Sequence, residues 1–497
     1  MTTLGSRVEN ASTVSGFFGK FSVLRDAIPE LWISFAIKAI SIAAYGLTNS
    51  TLVLWMHSEL GYRDDQALPI VAAWSLVMTA MTLLVGSLTD VLGMRRTLFI
   101  GTVLCILGRA VMILTTVRWV ALACGLLPLA IGEALGGPVL IAAARCYSNT
   151  RQRSMSFSMI YAMMNLGFLM AGWLFDHFRK GLGEHGQLNL AGLHFSTYQT
   201  LFLVSLILEA LVLPLIFLLR EGAEATDQGL KLVPRKPAPA NRSFLQSVNL
   251  TTRQATRETV QLFGTLLRQA GFHRLLIFLI LIAFVKIIYR QMDYVYPTFG
   301  IRELGPGAPI GILWGLNSLF IIILAPIVGA LTQRFSAYSM VITGGLISSA
   351  SIFIMALPPA LFVPVADGVL GNFVGHWYLG LHGAVHPYYV MISLFVLVLS
   401  VGEAFYSPRV YEYAAAIAPK GQEASYGALS YVPFLLAKLL IGLFSGKWLM
   451  RYCPETGPRH SETLWLIVAL FSLVAPIGLI GLRRFIQVRE AGRETES

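Results

Sequence analysis

Nine ionisable side chains stand inside long apolar stretches of this sequence, where holding a charge costs a few kcal/mol or more. Five are basic, Lys38, Arg109, Lys286, Arg290 and Lys438, and four are acidic, Glu133, Glu209, Asp293 and Glu403. Five against four is close to the balance that mutual pairing around a shared interior requires. Lys286, Arg290 and Asp293 stand at i, i+4 and i+7, so one helix face carries all three. Two chemistries fit such a set: salt bridging between helices alone, or holding a charged solute and relaying protons. No histidine falls in the middle of an apolar run, so a proton relay would use carboxylates. Glu133, Asp293 and Glu403 are the candidates, and Glu133 and Glu403 each follow a glycine, Gly132 and Gly402, where another backbone can come close.

The same inventory excludes other chemistry. No compact set of nucleophile, base or metal ligands occurs at one depth, so an intramembrane enzyme is not indicated. Cys105, Cys124, Cys146 and Cys453 show neither metal-ligand spacing nor a disulfide framework. His376, His382 and His386 cluster in one loop and read as solvated histidines rather than a metal site. No metal and no cofactor is expected.

The elements that position these groups are apolar runs of about 20 residues, the length that crosses a bilayer as a helix. Hydrophobic residues make up 56% of the 497, and charged residues only 13%, against about a quarter in soluble domains. Backbone groups inside lipid must bond one another, so the runs are helical or belong to a closed barrel. Strict alternation is absent, which argues against the barrel. The runs lie near 31–56, 67–89, 97–116, 119–143, 154–175 and 198–219, then near 275–298, 309–332, 338–357, 388–408, 425–446 and 463–482. The expected fold is all-α and integral to the membrane, with twelve helices in two pseudo-symmetric six-helix bundles.

The expected division is a cytoplasmic segment 1–30, a bundle 31–220, a cytoplasmic linker 221–273, a bundle 274–484 and a tail 485–497. KLVPRKPAPANR in the linker contains prolines, and VNLTTRQATRETVQLFGTLLRQ after it could lie on the membrane as an amphipathic helix. Residues 1–20 lack an apolar core followed by a small-residue cleavage site, so no cleaved signal is expected.

Charge placement sets the orientation. With both termini inside, cytoplasmic segments hold 24 of the 37 Lys and Arg, outer segments hold 8 and the spans hold 5. A threefold inside excess fits an even number of spans with cytoplasmic termini, in a plasma or inner membrane. The net charge of +11 follows from this bias and does not indicate nucleic acid. VGSLTDVLGMRRTLFIG at 85–101 lines up with VGALTQRFSAYSMVITG at 328–344, each at the cytoplasmic end of the second helix of its half. Two similar halves around a central site are a recurring transporter design.

Gly86-Ser87-Leu88-Thr89-Asp90-Val91-Leu92-Gly93-Met94-Arg95-Arg96 resembles the signature loop between helices two and three of the major facilitator superfamily. The resemblance implies a gating latch made by Gly86, Asp90, Gly93 and Arg95 or Arg96, which holds an outward-open state. The copy in the second half has Gln333 in place of the acid.

Four stretches also resemble the proton-dependent oligopeptide transporter family: Leu316-Asn317 through Pro326, Gly402-Glu403 through Pro408, Phe157 through Tyr161, Asn165 and Gly167, and Tyr45-Gly46 with Leu52 to Met56. The resemblance implies that Glu403 receives the amino terminus of a bound peptide, that Tyr45 lines the pocket, and that Asn165 and Asn317 are substrate-binding residues. That family's helix-one acid-acid-arginine cluster would fall at Ile37, Ile40 and Ser41, and its helix-four lysine at Gly137. Lys38, Lys286 and Arg290 could supply positive charge in their place.

The expected function is secondary transport of a small amphoteric or anionic, peptide-like solute by alternating access, as a proton-coupled symporter. A proton-coupled exporter of drugs or metabolites and a transport-inactive membrane receptor are the alternatives. The expected partners are a small-molecule substrate, the proton and the lipid bilayer, with the protein a monomer.

Overall fold

A computed structural model describes residues 24–149, 151–190, 192–227, 229–232, 270–332, 335–417 and 432–487. Twelve long helices, here numbered α1–α12, dominate it. The first six are α1 (Pro29–Ser58), α2 (Asp64–Leu92), α3 (Met94–Leu114), α4 (Arg118–Cys146, with a π-helical segment at Ala121–Leu126), α5 (Arg153–Leu182) and α6 (Thr197–Leu218). The second six are α7 (Ala270–Tyr294), α8 (Ile310–Leu331), α9 (Ala337–Ala356), α10 (Pro387–Ile417), α11 (Val432–Tyr452) and α12 (Ser461–Gly481). Eleven of them are long and apolar enough to cross a membrane. The remaining one, α2, has 29 residues, ample for a span.

Local sequence explains where the helices start and break. Ser196 and Gln199 form a capping box at the start of α6, each side-chain oxygen accepting from the other's backbone amide. Ser336 accepts from the Ser339 amide and caps α9. Gly93 divides α2 from α3 with φ of 82°, a conformation that side-chain-bearing residues rarely adopt. Two short hairpins lie outside the helices. β1 (Gln187–Leu190) pairs with β2 (Leu193–Ser196), and β3 (Ala223–Thr226) with β4 (Gly229–Leu232), both antiparallel.

The internal duplication is visible in helix packing. In the first half α1 packs on α5 and α6, α3 on α4 and α6, and α2 on α4. Adding six to each label gives the second half: α7 on α11 and α12, α9 on α10 and α12, and α8 on α10. The contacts between halves obey the same operation, since α2 packs on α11 and α8 on α5. These are the two pseudo-symmetric six-helix bundles expected from the repeat at 85–101 and 328–344.

The structure refines several boundaries. The tenth helix runs to Ile417, beyond the expected 408, and α11 is described from Val432 to Tyr452 rather than over 425–446. The 221–273 stretch opens with the β3–β4 hairpin, which no periodicity announced. Its proline-containing portion and the amphipathic helix lie outside the described residues.

Candidate functional site

The nine intramembrane charges gather into two groups, one per half, related by the same symmetry. In each half a lysine from the first helix lies near a glutamate of the fourth. Lys38 of α1 interacts electrostatically with Glu133 of α4, and Lys286 of α7 with Glu403 of α10. The glycine before each glutamate lets a neighbouring helix approach. A Cβ on Gly132 would stand 2.6 Å from the Gly101 carbonyl oxygen, and one on Gly402 would stand 2.8 Å from that of Gly344. Gly101 and Gly344 are themselves equivalent positions of the repeat.

The two groups differ in what else they contain. In the first half Arg109 of α3, 0% exposed, joins the pair. Its guanidinium donates to Glu133 at 2.6 Å, lies 3.5 Å from Glu209 of α6, and donates to the Thr48 hydroxyl at 3.2 Å. Thr48 in turn shares a hydrogen bond of 2.9 Å with Ser205. Four helices thus meet at one cation, and Glu133 accepts directly from it.

The second-half group is more open in its bonding. Asn317 of α8 donates to Glu403 at 3.1 Å and to the Ser400 hydroxyl at 3.0 Å. The Lys286 ammonium sits 5.0, 4.7 and 4.6 Å from the ring centres of Tyr289, Tyr406 and Phe434, within cation–π range. Arg290 pairs with Asp293 at 2.7 Å, along the helix face that the spacing predicted. Lys438 lies over Trp74 of α2 and Tyr294, at 5.6 and 5.8 Å. Tyr45 of α1 interacts with Arg290 and Asp293, so this group meets the first half.

The sequence-derived candidates are therefore distributed as follows. Glu403, Asn317, Lys286, Arg290, Asp293 and Tyr45 fall in or beside the second-half group. Lys38 and Glu133 fall in the first-half group. Asn165 is buried and donates to the Tyr161 carbonyl of its own helix. At the loop expected to act as a latch, Arg96 lies 3.5 Å from Glu221, and Arg95 stacks over Phe217 at 5.4 Å. Gly86 and Asp90 lie within α2, and the Asp90 side chain is outside what the structure describes. His376 bonds to Asn372 and to the Gly383 carbonyl, both at 2.8 Å. Among the described residues no His, Cys, Asp or Glu cluster could hold a metal.

A second set of polar residues ties the halves together at the end away from the start of α1, the distal end. Asp176 of α5 accepts from the backbone amides of Gly311 at 2.9 Å and Ile312 at 2.6 Å. It thereby caps α8 from the other half, offering a negative charge to a helix N-terminus. Arg179 pairs with Glu184 and donates to the Ala308 carbonyl at 3.3 Å. Glu184 also accepts from Tyr198 at 2.7 Å and from the Gly307 amide at 3.2 Å. Across the other seam, Arg302 donates to Asp64 and to the Cys453 carbonyl, each at 2.9 Å.

Sequence reading missed this clasp. Asp176 and Arg179 stand at the boundary of an apolar run, where charges are ordinary, and no local pattern marks their partners in the second half, 129 to 136 residues away.

Two expected results follow from the clasp. A Cβ on Gly311 would stand 2.5 Å from the Gly172 carbonyl oxygen, so α5 and α8 touch backbone to backbone. Gly172→Val should hold the distal ends apart. An A308C variant, buried while the ends touch, should then react severalfold faster with an impermeant thiol reagent; an unchanged rate refutes the contact's role.

The second result concerns pH. Burial opposes ionisation of Glu184, but the charge and hydrogen bond of Arg179, with those of Tyr198 and Gly307, outweigh it and hold the carboxyl below its ordinary value. A depressed folded-state pKa gives stabilisation that is complete above the unfolded value, about 4.3, and is lost as pH falls through the folded one. Where Glu184 controls the clasp, A308C reactivity, corrected for thiolate fraction, rises only below about pH 4. A rise already near neutrality would exclude Glu184 as the controlling group.

Known proteins share this architecture. A POT family transporter solved in complex with 5-aminolevulinic acid superimposes with a TM-score of 0.65 at 17% identity, covering 92% of this chain and 96% of that one. A mutant peptide transporter POT in complex with alafosfalin gives 0.66 at 18% identity, covering 92% and 94%. A bacterial homologue of human drug peptide transporters gives 0.62 at 16%, covering 92% and 98%. At these identities the likeness is one of fold. No curated protein matches the sequence. The Major Facilitator Superfamily profile matches residues 34–375, most of the chain and parts of both halves. With that match and twelve helices packed as two equivalent sixes, the chain belongs to the major facilitator superfamily: it is an integral membrane transporter and not an enzyme.

Proposed function

We propose that this transporter moves a small amphoteric or anionic, peptide-like solute by alternating access, coupled to proton symport. The observation that carries the reading is the second-half group. There Glu403 has a neutral amide as its direct partner, while Lys286 and the Arg290–Asp293 pair stand close by and face Tyr45. A solute amino group fits against Glu403, and a solute carboxylate against Lys286 or Arg290. Five intramembrane cations against four acids leave one positive charge for an anionic group. The likeness to transporters solved with 5-aminolevulinic acid and alafosfalin supports the same chemistry, since 5-aminolevulinic acid carries both an amine and a carboxylate.

In this reading residues 31–220 and 274–484 are the two moving bundles, both termini are cytoplasmic, and the distal end is the outer one. The clasp at Asp176 and Glu184 then closes the outside. Asp293 and Glu403 carry the transported proton, and Glu133 is held by Arg109.

Uptake into proteoliposomes under an imposed pH gradient tests the proposal. An inward-acid gradient that drives efflux instead would favour an exporter. Arg290→Gln should lower uptake of an anionic substrate by about 10- to 100-fold, the worth of a charge-assisted hydrogen bond. Unchanged transport removes Arg290 from the site.

A further inference from the structure

The connection between α9 and α10 is larger than the fold requires. Its equivalent in the first half, between α3 and α4, is residues 115–117. The α9–α10 connection instead runs from Leu357 to His386 and carries four short helical pieces, at Pro359–Phe362, Val363–Ala366, Val369–Gly371 and Asn372–Tyr378. All four pack against α10.

One face of this insert belongs to the bundle. Ala366, Val374, Leu379 and Val385 are buried, and the Tyr378 hydroxyl donates to the Ile312 carbonyl at 3.3 Å. The outward side is largely apolar too, with Asp367, Asn372 and His376 as its exposed polar residues from 357 to 380. Leu361, Val365, Val369, Phe373 and Trp377 recur every fourth residue and all are exposed, Val369 at 88% and Trp377 at 75%. Phe373 and Trp377 stack at 5.0 Å and close the ridge. Leu443 on α11, within a candidate span, is 63% exposed, so the ridge is as bare as the surfaces that meet lipid. A segment that is largely apolar on both faces is not suited to water.

We propose that this ridge inserts into the distal leaflet of the bilayer, at the boundary of headgroups and acyl chains, as an interfacial anchor beside α10. Aromatic side chains such as Trp377 favour that depth. Charge defines the lipid as well. From 335 to 408 the chain has no Lys or Arg, and the insert's only acid is Asp367. The anchor therefore works by apolar burial and does not select anionic headgroups, in contrast to basic amphipathic helices.

The test uses full-length protein with Cys124 and Cys146 replaced by serine, reconstituted in phosphatidylcholine vesicles. A spin label on V369C should collide with oxygen more than with a water-soluble nickel chelate, as a label on L443C does, and unlike one on E455C. The preference should persist when phosphatidylglycerol is added. A label at 369 that follows E455C overturns the proposal, as does a preference that appears only with anionic lipid. Dipolar broadening between labels would show a second copy covering the ridge, and also overturns it. Should V369C fail to reconstitute, brominated phosphatidylcholine provides the second measurement. The quenched fraction of tryptophan emission should fall in W377F; a fraction that rises places Trp377 in water, and either a rise or no change overturns the proposal.

Discussion

Replacing Arg109 with leucine should destabilise the transporter by about 3–5 kcal/mol, the usual cost of removing one partner from a buried ion pair. Arg109 is fully buried and is the cation shared by Glu133 and Glu209. Its loss leaves two carboxylates out of water, with Lys38 near Glu133 as the remaining positive group. The penalty comes from the orphaned acids more than from the lost attraction. Combining Arg109→Leu with Glu133→Gln and Glu209→Gln should therefore recover most of the stability, since no charge is stranded. Thermal unfolding in detergent, followed by tryptophan emission, separates the cases. A single variant as stable as the parent would show that Arg109 ties nothing together. A triple variant no better than the single would show that lost packing, not lost charge, set the cost.

The contrast between the two halves gives this result its functional weight. Both halves put a lysine beside a glutamate at a glycine-lined helix crossing, as a duplicated ancestor would. Only the first half adds Arg109, which pairs directly with the glutamate, and Glu209, which shares that cation. Glu403 instead has the Asn317 amide as its hydrogen-bond partner, so the two equivalent sites have diverged in how their glutamates are held, and in the proposed reading the second is the one that binds solute.

Much of this was legible in the sequence because lipid imposes strict rules. Runs of about 20 apolar residues have to be helices. Lys286, Arg290 and Asp293 share a face because i, i+4 and i+7 leave no alternative on a helix, and the Arg290–Asp293 pair realises it. The glycines before Glu133 and Glu403 correctly marked close backbone approach. Spacing could not tell which cation each glutamate meets. Arg109 lies 24 residues before Glu133 and 100 before Glu209, and such distances carry no periodic signal. The distal clasp was invisible for the same reason, since Asp176 bonds backbone amides, which every sequence possesses. The α9–α10 connection read as a loop with histidines, because its ridge repeats every fourth residue over a stretch too broken to register as one helix.

Removing the Asp176 carboxylate should shift the transporter away from the state described here. Its two oxygens accept from Gly311 and Ile312, the first amides of α8, which have no partner within their own helix. Hydrogen bonds to a charged group contribute about 1.5–3 kcal/mol each. Both exist only while α5 and α8 touch, so they bear on the balance between closed and open distal ends rather than on either bundle alone. Asp176→Ala should cost the closed form about 3 kcal/mol, which moves the equilibrium roughly a hundredfold. Asp176→Asn keeps one acceptor and should fall between. Spin labels on K180C and P306C, one on each half, report the change as a longer distance gaining population. Thermal stability should move far less than in Arg109→Leu, because the amides exposed on opening reach water. A distance distribution identical to the parent's would mean that backbone packing at Gly172 and Gly311 closes this end without the carboxylate. A large fall in stability with no change in distance would make Asp176 a structural cap and not a clasp.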